Sequence, residues 1–593
     1  MEDDHRDRRA GAMNPVAATG YEYDRYSTLT GVLTDPPEGS PYRVRFRRLD
    51  ELRPVRTSIL VFVALAFVAG FLLFLLQPAH WPSTSGSAAH VALELLVAFA
   101  TAVIGILTFV NVATMGRASL IARDPIPVVP QSGTRVAFVT TIVPSREPLA
   151  VVQRTLAAAG RVRHDGPLDV WLLDEGGEES VREACRRLGV RYFTRHGVEA
   201  YNQASGTFKT KSKHGNYNSW LHAHGDGYDV MISVDPDHVP LPNFAERFLG
   251  YFRDPDIAFV VGPQVYGNYH GFVTKSAESQ QFLFHSLLQR AGNRTGSAMF
   301  VGTNNAVRID ALRSVGGLRD SVTEDLATSV AIHAERNPRT GNRWRSVYTP
   351  DVIAVGEGPT TFTDFFAQQY RWARGGNDVL LRRFWRIARR LSPGQAFNYL
   401  LLMVYYPATA LAWTLGVTNS IIYMTLGIWG VRMPVHLWLM LYVDVAVLQT
   451  CIYSWNRRHN VSPHESPGSN GVAGMFISAL SAPVYVSALL ASVLGRSSGF
   501  VVTAKGNAGR ADSLRTFTRH IGWAAAILTA VAVSPLLGWR EPAMYVWAGL
   551  SAALSLGPLL IWSVTRVRRR RAHAARSARH ASADSNLRGE VAA

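Results

Sequence analysis

Apolar residues are distributed in two ways along this chain. Toward both ends they form long unbroken runs, whereas between about residues 135 and 390 they form short runs separated by amphipathic stretches. The runs at 58–76 and 91–114 are each long enough to cross a bilayer core at about 1.5 Å per residue. Further spans are expected at about 408–428, 434–455, 522–538 and 543–565. The stretch 395–406 reads as an interfacial helix. So does 472–494, which is long enough to span but holds four serines and Pro483. In the middle, Val136–Ile142, 170–173, 190–194 and 230–234 read as strands, and 147–159 and 179–188 as helices. Alternation of this kind predicts a parallel sheet.

Composition changes that picture in three ways. Hydrophobic content of 47% against 18% charged residues is that of a membrane protein with a soluble centre. The formal charge of +17 comes mostly from arginines beside the apolar runs. This points to anionic lipid head groups and the positive-inside rule, and away from nucleic acid. The amino terminus, the middle domain and the carboxyl terminus are therefore expected in the cytosol, with the loop at 77–89 outside. The two cysteines, Cys185 and Cys451, exclude a disulfide framework or a zinc pattern. The first fifty residues lack an apolar core, so no cleavable signal peptide is expected. The resulting domains are a disordered basic segment 1–52, a transmembrane hairpin 53–118, a cytosolic domain 119–392, helices 393–571 with a loop at 499–507, and a disordered tail 572–593.

The candidate chemistry centres on the strand that ends in Asp235-Pro-Asp-His238. Ligands bind outside the carboxyl ends of strands in open α/β sheets. Carboxylates two residues apart beside an imidazole suit a hard divalent cation that also holds phosphate oxygens. Gln368, Arg371 and Trp372 fall at i, i+3 and i+4, on one helix face. Thr323-Glu-Asp325 also suits a helix start, and Asp174 a helix cap.

In chain order the motifs are Asp174-Glu-Gly, Lys213-His-Gly-Asn-Tyr-Asn218, Asp235-Pro-Asp-His238, Thr323-Glu-Asp325 and Gln368-Gln-Tyr-Arg-Trp372. They resemble those of the inverting, processive family 2 glycosyltransferases. Phe500-Val-Val-Thr503-Ala-Lys505-Gly506 is similar to the gating loop of cellulose synthases. The resemblance implies an α/β fold: a cytosolic GT-A-like nucleotide-sugar-binding domain inserted between transmembrane α-helices, about two before and about four after. It implies Asp325 as catalytic base and Asp237 with His238 as ligands of Mg2+ or Mn2+. Glu147, Asp174, Lys213, Asp235, Arg371, Thr503 and Lys505 would contact the nucleotide sugar, and Glu324, Gln368 and Trp372 the acceptor. Other readings stay open for some of these: Glu147 as a first-turn helix carboxylate, Lys213 as part of a solvated basic face, Trp372 as a buried core residue. The loop Val301-Gly-Thr-Asn-Asn305 lacks the family's Cys or Ser, which leaves acceptor contacts from it in doubt.

The implied activity is polymerisation of UDP-glucose into a β-1,4-glucan at the plasma membrane, with translocation of the chain outward. The implied partners are the UDP-sugar donor, the growing polysaccharide, membrane lipids and an accessory protein on the outer surface. The alternatives are a synthase of β-1,3-glucan, mannan or a chitin-like chain, a non-processive lipid glycosyltransferase, and a non-enzymatic transporter or receptor. Arg566 and Arg570 have the spacing of an RxxxR motif, but control by cyclic di-GMP through this chain is not expected.

Overall fold

The computed structural model describes residues 23–39, 41–49, 54–81, 87–431, 434–466, 469–496 and 510–591. Two long apolar helices, α1 (Pro54–Leu75) and α2 (Ala88–Ile121), cover the first two expected spans and lie against each other. Gly116 permits the approach, since a Cβ there would stand 2.7 Å from the Val61 side chain.

The centre is a seven-stranded sheet: β1 (Val136–Ile142), β2 (Leu168–Asp174), β3 (Arg191–Thr194), β4 (Val230–Ser233), β5 (Ile257–Val261), β6 (Asn305–Arg308) and β7 (Arg345–Tyr348). Their order is β7-β5-β6-β4-β1-β2-β3. Both faces are covered. Met231, Val139 and Phe259 point into one core, and Phe138, Ile232 and Val260 into the other. Continuous apolar runs are what such a doubly covered sheet requires.

The sheet is mixed, which corrects the expectation of an all-parallel one: β6 runs antiparallel to both β4 and β5. Strand direction leaves no trace in a hydrophobic run, because the inside–outside pattern reads the same both ways. The reversal is made at Asn304, which sits at φ 51°. It places the loop before β6 beside the carboxyl ends of β4 and β5. The whole is a mixed α/β sheet domain with apolar helices on its flanks.

Four further helices of the soluble part carry or support the site: α3 (Lys213–His224), α4 (Gly271–Gln280), α5 (Glu324–Ala334) and α6 (Phe362–Val379). After them, α7 (Pro393–Leu426) opens on a capping box formed by Ser392 and Gln395. It is one continuous helix, so the expected interfacial helix 395–406 and the following span are a single element. Pro407 lies inside it, where it removes one backbone hydrogen bond and crowds the carbonyl of Met403. Helix α8 (Val435–Asn456) packs through Val445 and Ile452 against α1 and α2.

The stretch 472–494 is two helices, α9 (Val472–Leu480) and α10 (Ala482–Val493), bent by 45°. Ser481 sits at the break and Pro483 in the first turn of α10, where its missing N–H is harmless. Both ends of the pair are tied to the soluble part. Gly474 lies so close to Ser279 of α4 that a Cβ would come within 2.5 Å of its backbone. At the other end, Arg382 donates to the Ser492 carbonyl (3.0 Å) and Arg374 to that of Arg496 (2.6 Å). Helices α11 (Thr518–Val533) and α12 (Pro542–Val591) close the bundle. Among the described residues five helical stretches are long and apolar enough to cross a membrane, or six with the bent pair counted as one.

Two further expectations are corrected. Residues 1–52 were expected to lack structure, yet 23–49 largely wrap the sheet domain. Phe46–Arg48 pairs with Arg123–Pro125, and Thr30 donates twice to the buried Asp351 (2.8 Å each), which also pairs with Arg247. Polar anchoring of this kind has no hydrophobic period to announce it. At the other end α12 runs on to Val591 through the tail expected to be disordered. Its Ala- and Arg-rich composition has high intrinsic helix propensity.

Candidate active site

Strand β4 delivers Asp235, Asp237 and His238 to the carboxyl edge of the sheet, and their ligating atoms lie within 4.8 Å of one another. Asp235 is fixed by its backbone N–H, which donates to Thr303 Oγ1 (2.9 Å). Asp237 accepts from the backbone N–H of Glu357 (3.3 Å). His238 is 4% exposed, and neither ring nitrogen has a hydrogen-bond partner, although Nδ1 lies 3.5 Å from Asp237 Oδ1. Burying an imidazole without partners is costly. Two carboxylates beside unpartnered ring nitrogens form a donor set that fits a divalent cation. Gly356 closes over the ring, where a Cβ would stand 2.4 Å away.

Lys213 opens α3, with Ser212 as its cap. Its ammonium donates to Asp235 Oδ1 (2.6 Å) and to the Gly302 carbonyl (2.5 Å). Burial acts against this charge and is the largest single influence, but Asp235, Tyr217 and Glu324 together outweigh it and hold the Lys213 pKa above its usual value.

Asp325 stands in the first turn of α5. Its Oδ1 accepts from Leu326 N (2.7 Å) and its Oδ2 from Gly302 N (3.1 Å). Burial, and then the charge of Glu324, push its pKa up to about 7, against the opposing pull of the Leu326 N–H, Lys213 and Arg371. Gly302 thus touches both key groups, through its carbonyl to Lys213 and its N–H to Asp325. The loop left in doubt by the sequence is the bridge of the site.

Helix α6 presents Gln368, Arg371 and Trp372 to the same cavity, as their spacing predicts. Its approach to α5 depends on Gly375, where a Cβ would fall 2.2 Å from the Thr323 side chain. The cavity encloses about 770 Å³ and brings together Glu147, Lys213, Asp235, Asp237, His238, Glu324, Asp325, Gln368, Arg371 and Trp372.

One expected contact among the described residues is not brought there. Asp174 is fully buried and does not line the cavity; its oxygens accept from Gly176 N (2.8 Å), Glu178 N (2.8 Å) and Tyr192 OH (2.9 Å). It shapes the turn after β2, and Glu175 lines the wall instead. Thr503 and Lys505 lie outside the described residues. Glu147 lines the cavity, but its Oε2 accepts from Val143 N (2.8 Å). Sequence reasoning missed the pair that braces this side. Arg195, fully buried, donates to both oxygens of Glu175 (2.9 and 2.7 Å), and the Lys211 N–H adds a third bond (2.9 Å).

Residues 230–447 match the family described as Glycosyl transferase family group 2. The cellulose synthase catalytic subunit of Xanthomonas axonopodis pv. citri is 28% identical over 297 residues, 48% of this chain and 37% of that protein. A probable glucomannan 4-beta-mannosyltransferase of Arabidopsis thaliana is 26% identical over 262 residues, 42% of this chain and 47% of that one. The chain therefore spans less than half the length of these curated relatives. Among solved structures, a mannosyltransferase from Pyrobaculum calidifontis aligns with a TM-score of 0.45 and 14% identity, covering 68% of this chain and 100% of that one. Residues 230–447 are thus similar to glycosyl transferase family group 2, in a chain similar to the catalytic subunits of cellulose synthases.

Proposed function

We propose that this chain is a membrane-embedded, processive, inverting glycosyltransferase that adds glucose from UDP-glucose to a growing β-1,4-glucan and passes it outward between its helices. The observation that carries the reading is the bridge through Gly302, which holds a cation (Lys213) and a carboxylate of raised proton affinity (Asp325) on opposite sides of one backbone unit. Inverting transfer needs one carboxylate to accept the acceptor hydroxyl's proton while that oxygen attacks the anomeric carbon and the bond to the diphosphate breaks. Asp325 has that role. Lys213 and Arg371 neutralise charge on the departing nucleotide. Asp237 and His238, with Asp235 beside them, would hold Mg2+ or Mn2+, which supplies charge stabilisation at the diphosphate when bound. Trp372 offers an apolar face and an indole N–H to a sugar ring.

Support for export comes from a second cavity of about 530 Å³, enclosed by α1, α2, α7, α8 and α12 and lined in part by Asn111, Asn419, Gln449, Trp413 and Trp429. Tyr405 lines it, and the next residue, Tyr406, packs beside Gly376 of α6. Amide and indole groups facing an apolar bundle suit a hydroxylated chain in transit. In this reading the protein crosses the plasma membrane several times with the sheet domain and both ends in the cytosol. The relatives' names favour a β-linked hexose polymer.

The test feeds full-length protein in lipid nanodiscs with UDP-glucose and Mg2+ or Mn2+ and digests the product with linkage-specific hydrolases. A polymer cut by a β-1,4-endoglucanase is the expected outcome. A product cut only by β-1,3-glucanase, mannanase or chitinase, made from the matching donor, would assign another β-glycan. Transfer of single sugars to lipid would end the processive reading.

A further inference from the structure

A third cavity, of about 690 Å³, lies where α12 leaves its apolar run. Its walls come from the start of α4, the start of α6, residues 511–515 and the 561–566 turns of α12. Phe272, Val273, Leu514 and Trp562 give the cavity apolar lining, and Arg515 and Arg566 line it with them. Leu514 is 61% exposed. No salt bridge joins Arg515 or Arg566 to a carboxylate among the described residues, and the Arg566 guanidinium lies 5.3 Å over the Trp562 ring. The one carboxylate lining the cavity, Asp512, is turned to α6. It accepts from the N–H groups of Phe362 (3.2 Å) and Thr363 (2.8 Å) and from the Thr363 hydroxyl (2.9 Å).

Apolar lining beside two guanidinium groups that have no acidic partner among the described residues matches a molecule with a hydrocarbon part joined to an anionic head. The site's place at the end of a membrane-length helix, on the arginine-rich side, says which molecule can reach it. We infer that this cavity binds an anionic phospholipid, its phosphate between Arg515 and Arg566 and its acyl chain along Phe272, Leu514 and Trp562. The inference rests on the proposed membrane placement but not on the proposed sugar chemistry.

The full chain is reconstituted in phosphatidylcholine nanodiscs containing a minor fraction of phosphatidylglycerol, then extracted for native mass spectrometry. Phosphatidylglycerol should be retained over phosphatidylcholine. Arg515→Gln and Arg566→Gln should each lower that retention about fivefold, the worth of one basic group at a lipid surface, whereas Arg540→Gln leaves it unchanged. Equal retention of the two lipids, or unchanged retention in both variants, would overturn the inference. A second measurement uses brominated lipids as quenchers of tryptophan fluorescence. The excess quenching by phosphatidylglycerol over phosphatidylcholine should vanish in Trp562→Phe and persist in the presence of inorganic phosphate. Excess quenching that survives Trp562→Phe, or that inorganic phosphate alone removes, would equally overturn it.

Discussion

Asp325 is held where its carboxyl keeps a proton to about pH 7, first because it is buried and then because Glu324 lies beside it. As a base it works only when ionised, so the initial rate of sugar transfer should rise as pH passes through about 7. The effect on stability runs the other way. The folded chain binds this proton more tightly than the unfolded one. The group's contribution is therefore full below the ordinary carboxylate range and lost as pH rises through about 7. Asp325→Asn should accordingly lower transfer by roughly 10²–10⁴-fold while melting at or above the wild-type temperature at neutral pH. His238→Ala should weaken Mn2+ binding measured by electron paramagnetic resonance; unaltered binding would remove His238 from the ligand set. The sequence singled out most of these residues through the order of several motifs, each of them weak alone: Asp-x-Asp is common in ordinary turns, and Gln-x-x-Arg-Trp also suits a plain amphipathic helix. It did not separate Asp174 from its neighbour. Either acid can follow a strand, and only the folded turn reveals that Asp174 is used up by Gly176, Glu178 and Tyr192 while Glu175 meets Arg195.

At the scale of elements, α6 is the piece that joins chemistry to membrane. One face bears Gln368, Arg371 and Trp372. Next to them Gln369 accepts from Tyr485 of α10 (2.7 Å), and Gly375 lets Thr323 come close. Gly375→Ala should cost about 1–3 kcal/mol through the misfit with Thr323 and reduce transfer, read as a lower melting temperature together with a lower rate. Tyr485→Phe should cost only about 1 kcal/mol, the net worth of one hydrogen bond. A larger fall in rate than in stability would show that α10 positions α6. Helix positions such as 179–188 were readable from their period. The direction of β6 was not, since an apolar run reads the same in a parallel and an antiparallel strand. Nor could composition alone tell a bent pair from a straight helix at 472–494; the 45° bend at Ser481 makes that distinction.

At the scale of the whole molecule, those hydrogen bonds and the contact at Gly474 make a topological prediction. In a chain whose Cys185 and Cys451 are replaced by serine, Asn470→Cys and Leu494→Cys should both be shielded from a membrane-impermeant maleimide in intact cells and both react in inverted vesicles. Reaction of one from each side would make α9 and α10 a true span. The order of soluble and membrane parts was legible from the apolar runs, while the wrapping of residues 23–49 around the sheet domain was not, because it depends on Asp351 and Arg247 more than three hundred and two hundred residues away in sequence.

The anchoring of α9 and α10 has a practical corollary. Phe362, Phe365 and Phe366 share their core with Ile477, Val484 and Phe517, and Tyr399 of α7 closes over Leu326 and Val330 of α5. Expressed by itself, the segment 119–392 would leave this aromatic underside bare to water. Such a fragment should precipitate unless it is extracted together with the helices that cover it.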